Sequence, residues 1–138
     1  MQPELIHFQE LGDDRGSLIA LEQHQNIPFE IKRVYYIFDT ADNARRGFHA
    51  HKALKQVAIC VKGACTFLLD NGKEKINYRL DSQTTGLYIG NNIWREMFDF
   101  TEDCVLMVLA SELYDEADYI RNHEEFLKVI AKESCNCG

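Results

Sequence analysis

Between residues 31 and 110 the chain is a succession of short segments rich in Val, Ile, Tyr, Phe and Leu, separated by turns that contain Gly or Asn. Closely spaced short strands of this kind are typical of an all-β sandwich or barrel. The segments with strand character are residues 17–22, 33–38, 48–51, 55–62, 64–70, 74–80, 86–89, 94–98 and 105–111. We therefore predict a β-barrel without a helix in this part of the chain.

The turns and the C-terminal segment complete this prediction. Asn71-Gly72 favours a tight hairpin because both residues readily adopt positive φ angles, and Gly63 marks a second turn. From residue 112 the spacing becomes helical, with Phe126, Val129 and Ile130 on one face and an acidic face exposed to solvent. We expect one domain over residues 1–138, with a barrel at about 15–111 and a helical tail at about 112–134.

The composition excludes several classes of protein. The longest apolar runs, residues 57–61 and 104–110, span five and seven positions, whereas a membrane-spanning helix needs about 20. The chain does not begin with a basic segment followed by an apolar one, so we expect a cytoplasmic protein. With 22 acidic and 15 basic residues the net charge is −7, which argues against general nucleic-acid binding.

The five cysteines are an odd number, which favours reduced thiols in a chain without a secretion signal. Cys60, Cys65 and Cys104 lie in apolar stretches and are expected to be small core residues. Cys135 and Cys137 form a Cys-x-Cys pair, which is interpreted either as a silent tail or as a pair of thiols that takes up a metal.

One stretch of the chain has the opposite charge. Residues 32–55 contain six basic and two acidic residues, so this stretch carries +4 (six minus two) in a chain of −7. The basic residues are Lys32, Arg33, Arg45, Arg46, Lys52 and Lys55. We expect this stretch to bind an anion, and a small phosphorylated ligand is the simplest choice.

The pair His49 and His51 carries the most chemical information. Residues two apart on a strand project from the same face, so both imidazoles reach one place. Such a pair is silent at a solvent-facing position, holds a metal through its neutral nitrogens, or performs acid–base chemistry near neutral pH. The two residues alone leave these three alternatives open.

The surrounding frame, Gly47-x-His-x-His-x4-Gln56-x6-Gly63, resembles the first signature of the cupin superfamily, the double-stranded β-helix or jelly-roll barrels. The usual cupin signature has Glu where Gln56 stands, and the second signature brings a further histidine. Residues 86–97 contain no histidine, and Trp94-Arg95 falls near that position. A neutral amide and a guanidinium are poor metal ligands, so we expect no metal.

Motifs along nearly the whole chain resemble those of the dTDP-4-keto-6-deoxyglucose 3,4-ketoisomerases of bacterial sugar biosynthesis. They are Asp14-Arg15-Gly16-Ser17-Leu18, Lys32-Arg33-Val34-Tyr35-Tyr36-Ile37-Phe38, Arg46-Gly47-Phe48-His49-Ala50-His51-Lys52, Trp94-Arg95-Glu96-Met97 and residues 114–121. This family implies a homodimer without a cofactor that moves the keto group of a dTDP-linked 6-deoxyhexose from C4 to C3. The product then leads to 3-amino sugars of surface glycans.

The resemblance also implies roles for individual residues. His49 and His51 are the acid–base pair, with His51 as the base that removes the C3 proton. Arg33, Arg46 and Lys52 meet the pyrophosphate, and Tyr35, which shares a strand face with Arg33, contacts the ligand while Tyr36 packs. Arg15, Gln56, Trp94 and Arg95 complete the expected substrate site. Gln56 and Trp94 are alternatively core residues, and the galacto or gluco configuration of the product at C4 stays open.

Two other classes of function remain. A metal-dependent cupin isomerase or oxygenase would hold Fe, Mn or Zn through His49 and His51. A sugar-binding cupin without catalysis would use the same barrel only to bind. The His-x-His on a strand argues against a 3,5-epimerase, which also acts on nucleotide-linked keto sugars.

Overall fold

The computed structural model describes the backbone of residues 3–136 and the side chains of residues 3–133. A short 3-10 helix at Glu116–Asp118 and the helix α1 (His123–Asn136) follow the strands, with β12 between them. The strands are β1 (Glu4–His7), β2 (Leu11–Asp13), β3 (Gly16–Leu18), β4 (Arg33–Ile37), β5 (Arg46–His51), β6 (Gln56–Lys62), β7 (Cys65–Asp70), β8 (Lys75–Leu80), β9 (Thr85–Ile89), β10 (Trp94–Phe98), β11 (Val105–Ala110) and β12 (Tyr119–Ile120).

Two five-stranded antiparallel sheets enclose the core. Their strand orders are β1-β9-β6-β11-β4 and β12-β5-β10-β7-β8. Inward side chains of both sheets form one apolar cluster that includes Ala58, Phe67, Leu87, Leu106 and Val108. The predicted all-β barrel with a C-terminal helix is confirmed.

The barrel interior changes character along its axis because alternate residues of each strand face inward. On β6 the inward series begins with Gln56 and continues with Ala58 and Cys60, and on β10 Arg95 is followed by Met97. One end of the barrel is therefore polar and the other apolar.

The N-terminal segment covers the outer face of the first sheet. Phe8, Ile27 and Phe29 are buried there against the outward side chains of β6, β9 and β11, such as Val57 and Leu109. The predicted strand 17–22 is wrong beyond Leu18: the chain leaves the hairpin there, and apolar residues 19–31 pack on the sheet without a ladder of their own. β1, β2 and β12, of two to four residues each, were not predicted.

Helix α1 packs against the second sheet, as its predicted apolar face requires. Phe126 is fully buried with Trp94, Ala50 and Ile120, and Val129 and Ile130 pack around them. His123 Nε2 binds Oδ2 of Asp70 at 2.8 Å.

The predicted hairpin and the second predicted turn are both present, but only the first joins two paired strands, since β6 and β7 lie in different sheets. β7 and β8 pair across Asn71-Gly72, and Gly72 has a φ of +93°. Gly63, between β6 and β7, has a φ of +68°. Tyr36, in contrast, was expected to pack and is 64% exposed.

No helix within residues 3–136 is long and apolar enough to cross a membrane. Cys137 and the side chain of Cys135 lie outside the described residues, so the interpretation of the Cys-x-Cys pair stays a prediction.

The buried contact of Phe126 predicts a large effect on stability. Phe126→Ala should lower the free energy of unfolding by about 3–5 kcal/mol, because it leaves a cavity between α1 and the sheet. Leu127→Ala, at the next and 41% exposed position, should cost less than about 1 kcal/mol. Urea denaturation measures both, and equal effects would contradict the packing of α1 through Phe126.

Candidate active site

Both histidines of the His-x-His motif lie on β5 after a distorted stretch of backbone. Gly47 and Phe48 have φ angles of +93° and +59°, and the pairing of β5 with β10 changes register next to Arg95. A Cβ on Gly47 would lie 2.9 Å from the carbonyl oxygen of Arg95, so this bulge requires glycine. It sets His49 opposite Arg95, and the centroids of the two imidazole rings lie 4.9 Å apart.

The imidazole of His51 is buried and oriented by Asp118. Nδ1 of His51 lies 3.1 Å from Oδ2 of Asp118, and the same carboxylate accepts hydrogen bonds from the backbone N–H groups of Ala53 and Leu54. Because a carboxylate only accepts, Nδ1 carries the proton and Nε2 carries the lone pair. Nε2 is buried and has no hydrogen-bond partner among the described residues.

His49 has the same tautomer. Its Nδ1 lies 3.1 Å from the carbonyl oxygen of Gly47, which leaves the lone pair on Nε2. The ring of Tyr119 packs against both imidazoles, at centroid distances of 5.0 Å from His49 and 4.4 Å from His51. A carboxylate, a backbone carbonyl group and the ring of Tyr119 thus hold the two imidazole bases close together.

Arg95 places a guanidinium in the same part of the interior. Arg95 is 2% exposed. Its Nη1 donates a hydrogen bond to Oε1 of Gln56, and its Nη2 donates one to the carbonyl oxygen of Ile93 at 3.0 Å. Gln56 in turn donates to the phenol oxygen of Tyr35 at 2.9 Å. Among the described residues Arg95 has no ion-pair partner within 4.0 Å, and its Nε has no hydrogen-bond partner. A buried charge without a counter-ion is costly, which indicates that a negatively charged group completes the site.

Burial and the charge of Arg95 keep both histidines neutral. Burial, followed by Arg95, lowers the pKa of His51 to about 2 and that of His49 to about 4. Asp118 opposes this effect at His51, because its carboxylate stabilises an imidazolium. Burial lowers the pKa of Arg95 only to about 10, so it stays charged at neutral pH. The site therefore combines two neutral bases with one fixed cation.

The segment after β11 and the start of β4 form the rim of this site. Glu116 pairs with Arg121 and accepts a hydrogen bond from the hydroxyl of Tyr114, and the Arg121 guanidinium lies 4.1 Å from the ring centroid of Tyr119. Arg33 lies 5.8 Å from the ring centroid of Tyr114. Arg33 has no ion-pair partner among the described residues, so its charge is available to a ligand.

The structure brings most of the expected site residues together. Those that meet around the histidines or at the rim are His49, His51, Arg33, Tyr35, Gln56 and Arg95. Arg46 and Lys52 are exposed at the two ends of β5.

Trp94 and Arg15 lie elsewhere. Trp94 is 4% exposed and packs under α1 on the outer face of β10, because neighbours on a strand point to opposite faces. Of its two expected roles, substrate contact or core residue, its position fits the core residue. Arg15 is bound to Asp13 on the exposed β2–β3 hairpin, and its side chain is 87% exposed. Neither residue contacts His49 or His51.

Sequence patterns missed Asp118 and Tyr119. The acidic segment from residue 112 was expected to be the solvated face of a helix, but it forms a 3-10 turn and then β12, which pairs with β5 and sets Tyr119 opposite His51. The 3-10 turn begins at Asp115, whose side chain accepts from the backbone N–H of Ala117. That capping residue was the one local signal against a continuous helix.

This arrangement can remove a proton from a carbon next to a carbonyl group. A neutral imidazole takes the proton, and a cation at hydrogen-bond distance stabilises the enolate oxygen. The residues fit a metal poorly, because Gln56 is a neutral amide already bonded to Tyr35 and Arg95, and the charge of Arg95 repels a cation.

Known proteins share this chain's sequence and structure. The family model FdtA, described as WxcM-like, C-terminal, matches residues 1–131. A TDP-4-oxo-6-deoxy-α-D-glucose-3,4-oxoisomerase from Aneurinibacillus thermoaerophilus is 54% identical over 132 residues, which cover 96% of this chain and 95% of that protein. A 3,4-ketoisomerase from Helicobacter canadensis superposes with a TM-score of 0.92 at 46% identity, covering 95% of this chain and 98% of that one.

A histidine-to-asparagine mutant of the QdtA 3,4-ketoisomerase from Thermoanaerobacterium thermosaccharolyticum was crystallised with TDP-4-keto-6-deoxyglucose. It superposes with a TM-score of 0.91 at 47% identity, covering 94% of each chain. The matches span nearly the whole sequence at high identity and share its barrel. The chain therefore belongs to the FdtA family of cupin-fold sugar 3,4-ketoisomerases, and it is an isomerase.

Proposed function

We propose that this protein converts TDP-4-keto-6-deoxyglucose to the corresponding TDP-3-keto-6-deoxyhexose. The observation that carries the proposal is the buried guanidinium of Arg95, without a carboxylate partner among the described residues, beside two neutral histidines. Moving a keto group between adjacent carbons needs a base for one C–H bond and a cation for the enediolate. The 47% identical relative crystallised with TDP-4-keto-6-deoxyglucose supports the choice of substrate.

In the proposed reaction His51 is the base. Its Nε2 takes the proton from C3, and the electrons of that C–H bond form the C3–C4 double bond of an enediolate whose charge lies on the C4 oxygen. Asp118 stabilises the imidazolium through the bond to Nδ1. His51 then returns the proton to C4, which completes the transfer of hydrogen between the two carbons.

The two oxygens of the substrate exchange a proton during the same step. We assign this transfer to His49, since its Nε2 is a neutral acceptor close to His51. It takes the proton of the C3 hydroxyl and gives it to the C4 oxygen, so that C3 becomes the ketone and C4 the alcohol. Arg95 stabilises the negative oxygen, and Gln56 and Tyr35 hold Arg95 and extend the polar wall of the site.

The diphosphate of the substrate is assigned to the basic stretch of the chain. Arg33 lies at the rim without an ion-pair partner among the described residues, and Arg46 and Lys52 are exposed at the ends of the strand that carries the histidines. Arginine binds two phosphate oxygens at once. A metal-independent reaction follows from the same charges, because Arg95 takes the role of the cation.

The product defines the class of enzyme that acts next. A ketone at C3 can condense with an amine, so a transaminase is the proposed consumer and a 3-amino-3,6-dideoxyhexose the product of the sequence. The buried free thiols Cys60, Cys65 and Cys104 fit a reducing compartment, and we assign the enzyme to the cytoplasm.

We also propose that the protein is a homodimer. β4 is the last strand of the first sheet; its outward residues Val34 and Tyr36 are 52% and 64% exposed, and Phe38, directly after the strand, is 57% exposed. Exposed apolar side chains on an edge strand favour association. The β2–β3 hairpin that carries Arg15 lies beside the same outer face of the first sheet, where its Leu18 lines a depression. We therefore propose that, in the dimer, Arg15 reaches the active site of the partner subunit.

The reaction can be followed directly. NMR of TDP-4-keto-6-deoxyglucose incubated with the enzyme in D2O should show a 3-keto product with deuterium at C4 and remaining substrate with deuterium at C3, and chelation of metals should leave the rate unchanged. His51→Asn should lower the rate by about 10²–10⁴-fold, because it removes the base. His24→Asn is the matched control at an exposed position with a φ of +59° that asparagine tolerates. Undiminished exchange in His51→Asn would exclude His51 from the reaction.

Asp118 is proposed as a positioning residue, which its separate effects on kcat and KM can test. The wild-type kcat/KM should stay constant well below pH 6.5, down to the pKa of about 4 of His49, because the folded enzyme keeps both histidines neutral. Asp118→Asn removes the charge that favours the imidazolium, so the pKa of His51 falls further and His51 becomes a weaker base. We expect kcat to fall by about 10²-fold with little change in KM.

Asp115→Asn, in the same segment but without contact to His51, is the control for Asp118→Asn, since asparagine also caps the 3-10 turn. A purely structural role of Asp118 would raise KM together with the fall in kcat and would lower the melting temperature, and that result would contradict the proposal.

A charged residue introduced at the centre of the proposed interface tests the dimer. Tyr36→Glu should give a monomer in sedimentation velocity, because a carboxylate would be buried against the apolar partner surface. Leu127→Glu, an exposed apolar residue on α1, should leave the dimer intact. A dimeric Tyr36→Glu protein would place the interface elsewhere.

A further inference from the structure

Three cysteine thiols meet at the apolar end of the barrel, away from the histidines. The Sγ atom of Cys60 lies 3.5 Å from that of Cys65 and 3.8 Å from that of Cys104, and all three lie within 4.8 Å of one another. The residues are 1%, 0% and 3% exposed. Cys60 is four residues along β6 from Gln56, or about 13 Å at 3.3 Å per residue. This cluster takes no part in the proposed reaction.

The fold holds the thiols together through two interlocked turns. Cys60 and Cys65 flank the turn at Gly63, and Cys104 ends the turn that begins at Thr101. The turns exchange hydrogen bonds: the N–H of Ala64 donates to Oγ1 of Thr101, and the N–H of Thr101 donates to the carbonyl oxygen of Ala64, both at 2.9 Å. A Cβ on Gly63 would lie 2.7 Å from Cα of Cys104. The backbone of the two turns therefore holds the three cysteines next to one another.

The sulfur distances suit a shared ion. Sulfurs bound at about 2.3 Å in a tetrahedral arrangement lie about 3.8 Å apart, which is close to the two shortest separations here. Among the described residues no fourth His, Cys, Asp or Glu ligand joins the cluster, which leaves a tetrahedral zinc site incomplete.

Charge decides which ion fits. Three thiolates with a divalent ion leave one negative charge in an apolar core, which is costly; three thiolates with a trivalent ion are neutral. We propose that Cys60, Cys65 and Cys104 form a binding site for a trivalent thiophilic ion of the As(III) or Sb(III) type. Such an ion binds three sulfurs, and its own lone pair occupies the fourth position.

Binding of arsenous acid is a ligand exchange without oxidation. Each of the three S–H groups loses its proton to one hydroxyl of As(OH)3, three As–S bonds replace three As–O bonds, and three water molecules leave. Because the sulfurs are buried under the two turns, binding follows opening of these turns and is slow.

The test uses arsenite and the full chain with Cys135→Ser and Cys137→Ser, so that only the core thiols remain. Intact mass spectrometry should show one arsenic atom bound with loss of three hydrogens, and X-ray absorption at the arsenic edge should show sulfur neighbours and no oxygen. The melting temperature should rise with arsenite concentration, because the three adjacent sulfurs of the folded chain bind the ion more tightly than the separated thiols of the unfolded chain. Cys60→Ala in the same background should bind arsenite at least about 10-fold more weakly.

Several results would overturn the proposal. The first is that no adduct forms, and the second is that the bound arsenic keeps a hydroxyl group. The third is that binding seen in the unsubstituted chain disappears with the Cys135→Ser and Cys137→Ser substitutions. The fourth is that the core thiols bind Cd(II) but do not bind arsenite. The X-ray absorption result does not depend on the Cys60→Ala variant, so the proposal is tested even if that variant does not fold.

Discussion

The buried guanidinium of Arg95 is the constraint around which the polar end of this barrel is built. A charge in the interior costs several kcal/mol unless its surroundings compensate for it. Gln56 and the carbonyl oxygen of Ile93 accept two of its hydrogen bonds, and Gln56 is held in turn by Tyr35. The same charge is the second cause, after burial, of the low histidine pKa values. Removing Arg95 would thus change the hydrogen bonding of β6 and β4 and the protonation of β5 together.

One strand connects this site to the rest of the fold. On β10, Arg95 faces the interior while Trp94 faces outward under α1, so strand alternation places the candidate site on one face and the packing of the helix on the other. Asn92, just before β10, donates its backbone N–H to the carbonyl oxygen of His51 at 2.7 Å. Packing of α1 and the position of the histidines are therefore mechanically linked through β10 and the turn before it.

Sequence patterns identified the parts of the site that depend on strand periodicity. His49 and His51 share a face, and Tyr35 shares one with Arg33. They could not place Trp94, because an aromatic residue on a barrel strand fits either face. They also missed Asp118, which is 67 residues from His51 and reaches it only through the pairing of β12 with β5. A two-residue strand has no periodicity of its own, so only tertiary structure defines it.

The proposed reaction gives the unpaired charge of Arg95 a role that changes along the reaction. Before proton transfer, Arg95 disfavours an imidazolium and keeps His51 a neutral base. Once the enediolate forms, its negative oxygen offsets Arg95 and itself stabilises the proton on His51. Each unit by which the pKa of His51 rises is worth about 1.4 kcal/mol, and the coupling is reciprocal, so the protonated histidine stabilises the enediolate equally. A counter-ion supplied by the protein would remove this coupling, because Arg95 would then be neutralised before the substrate reacts.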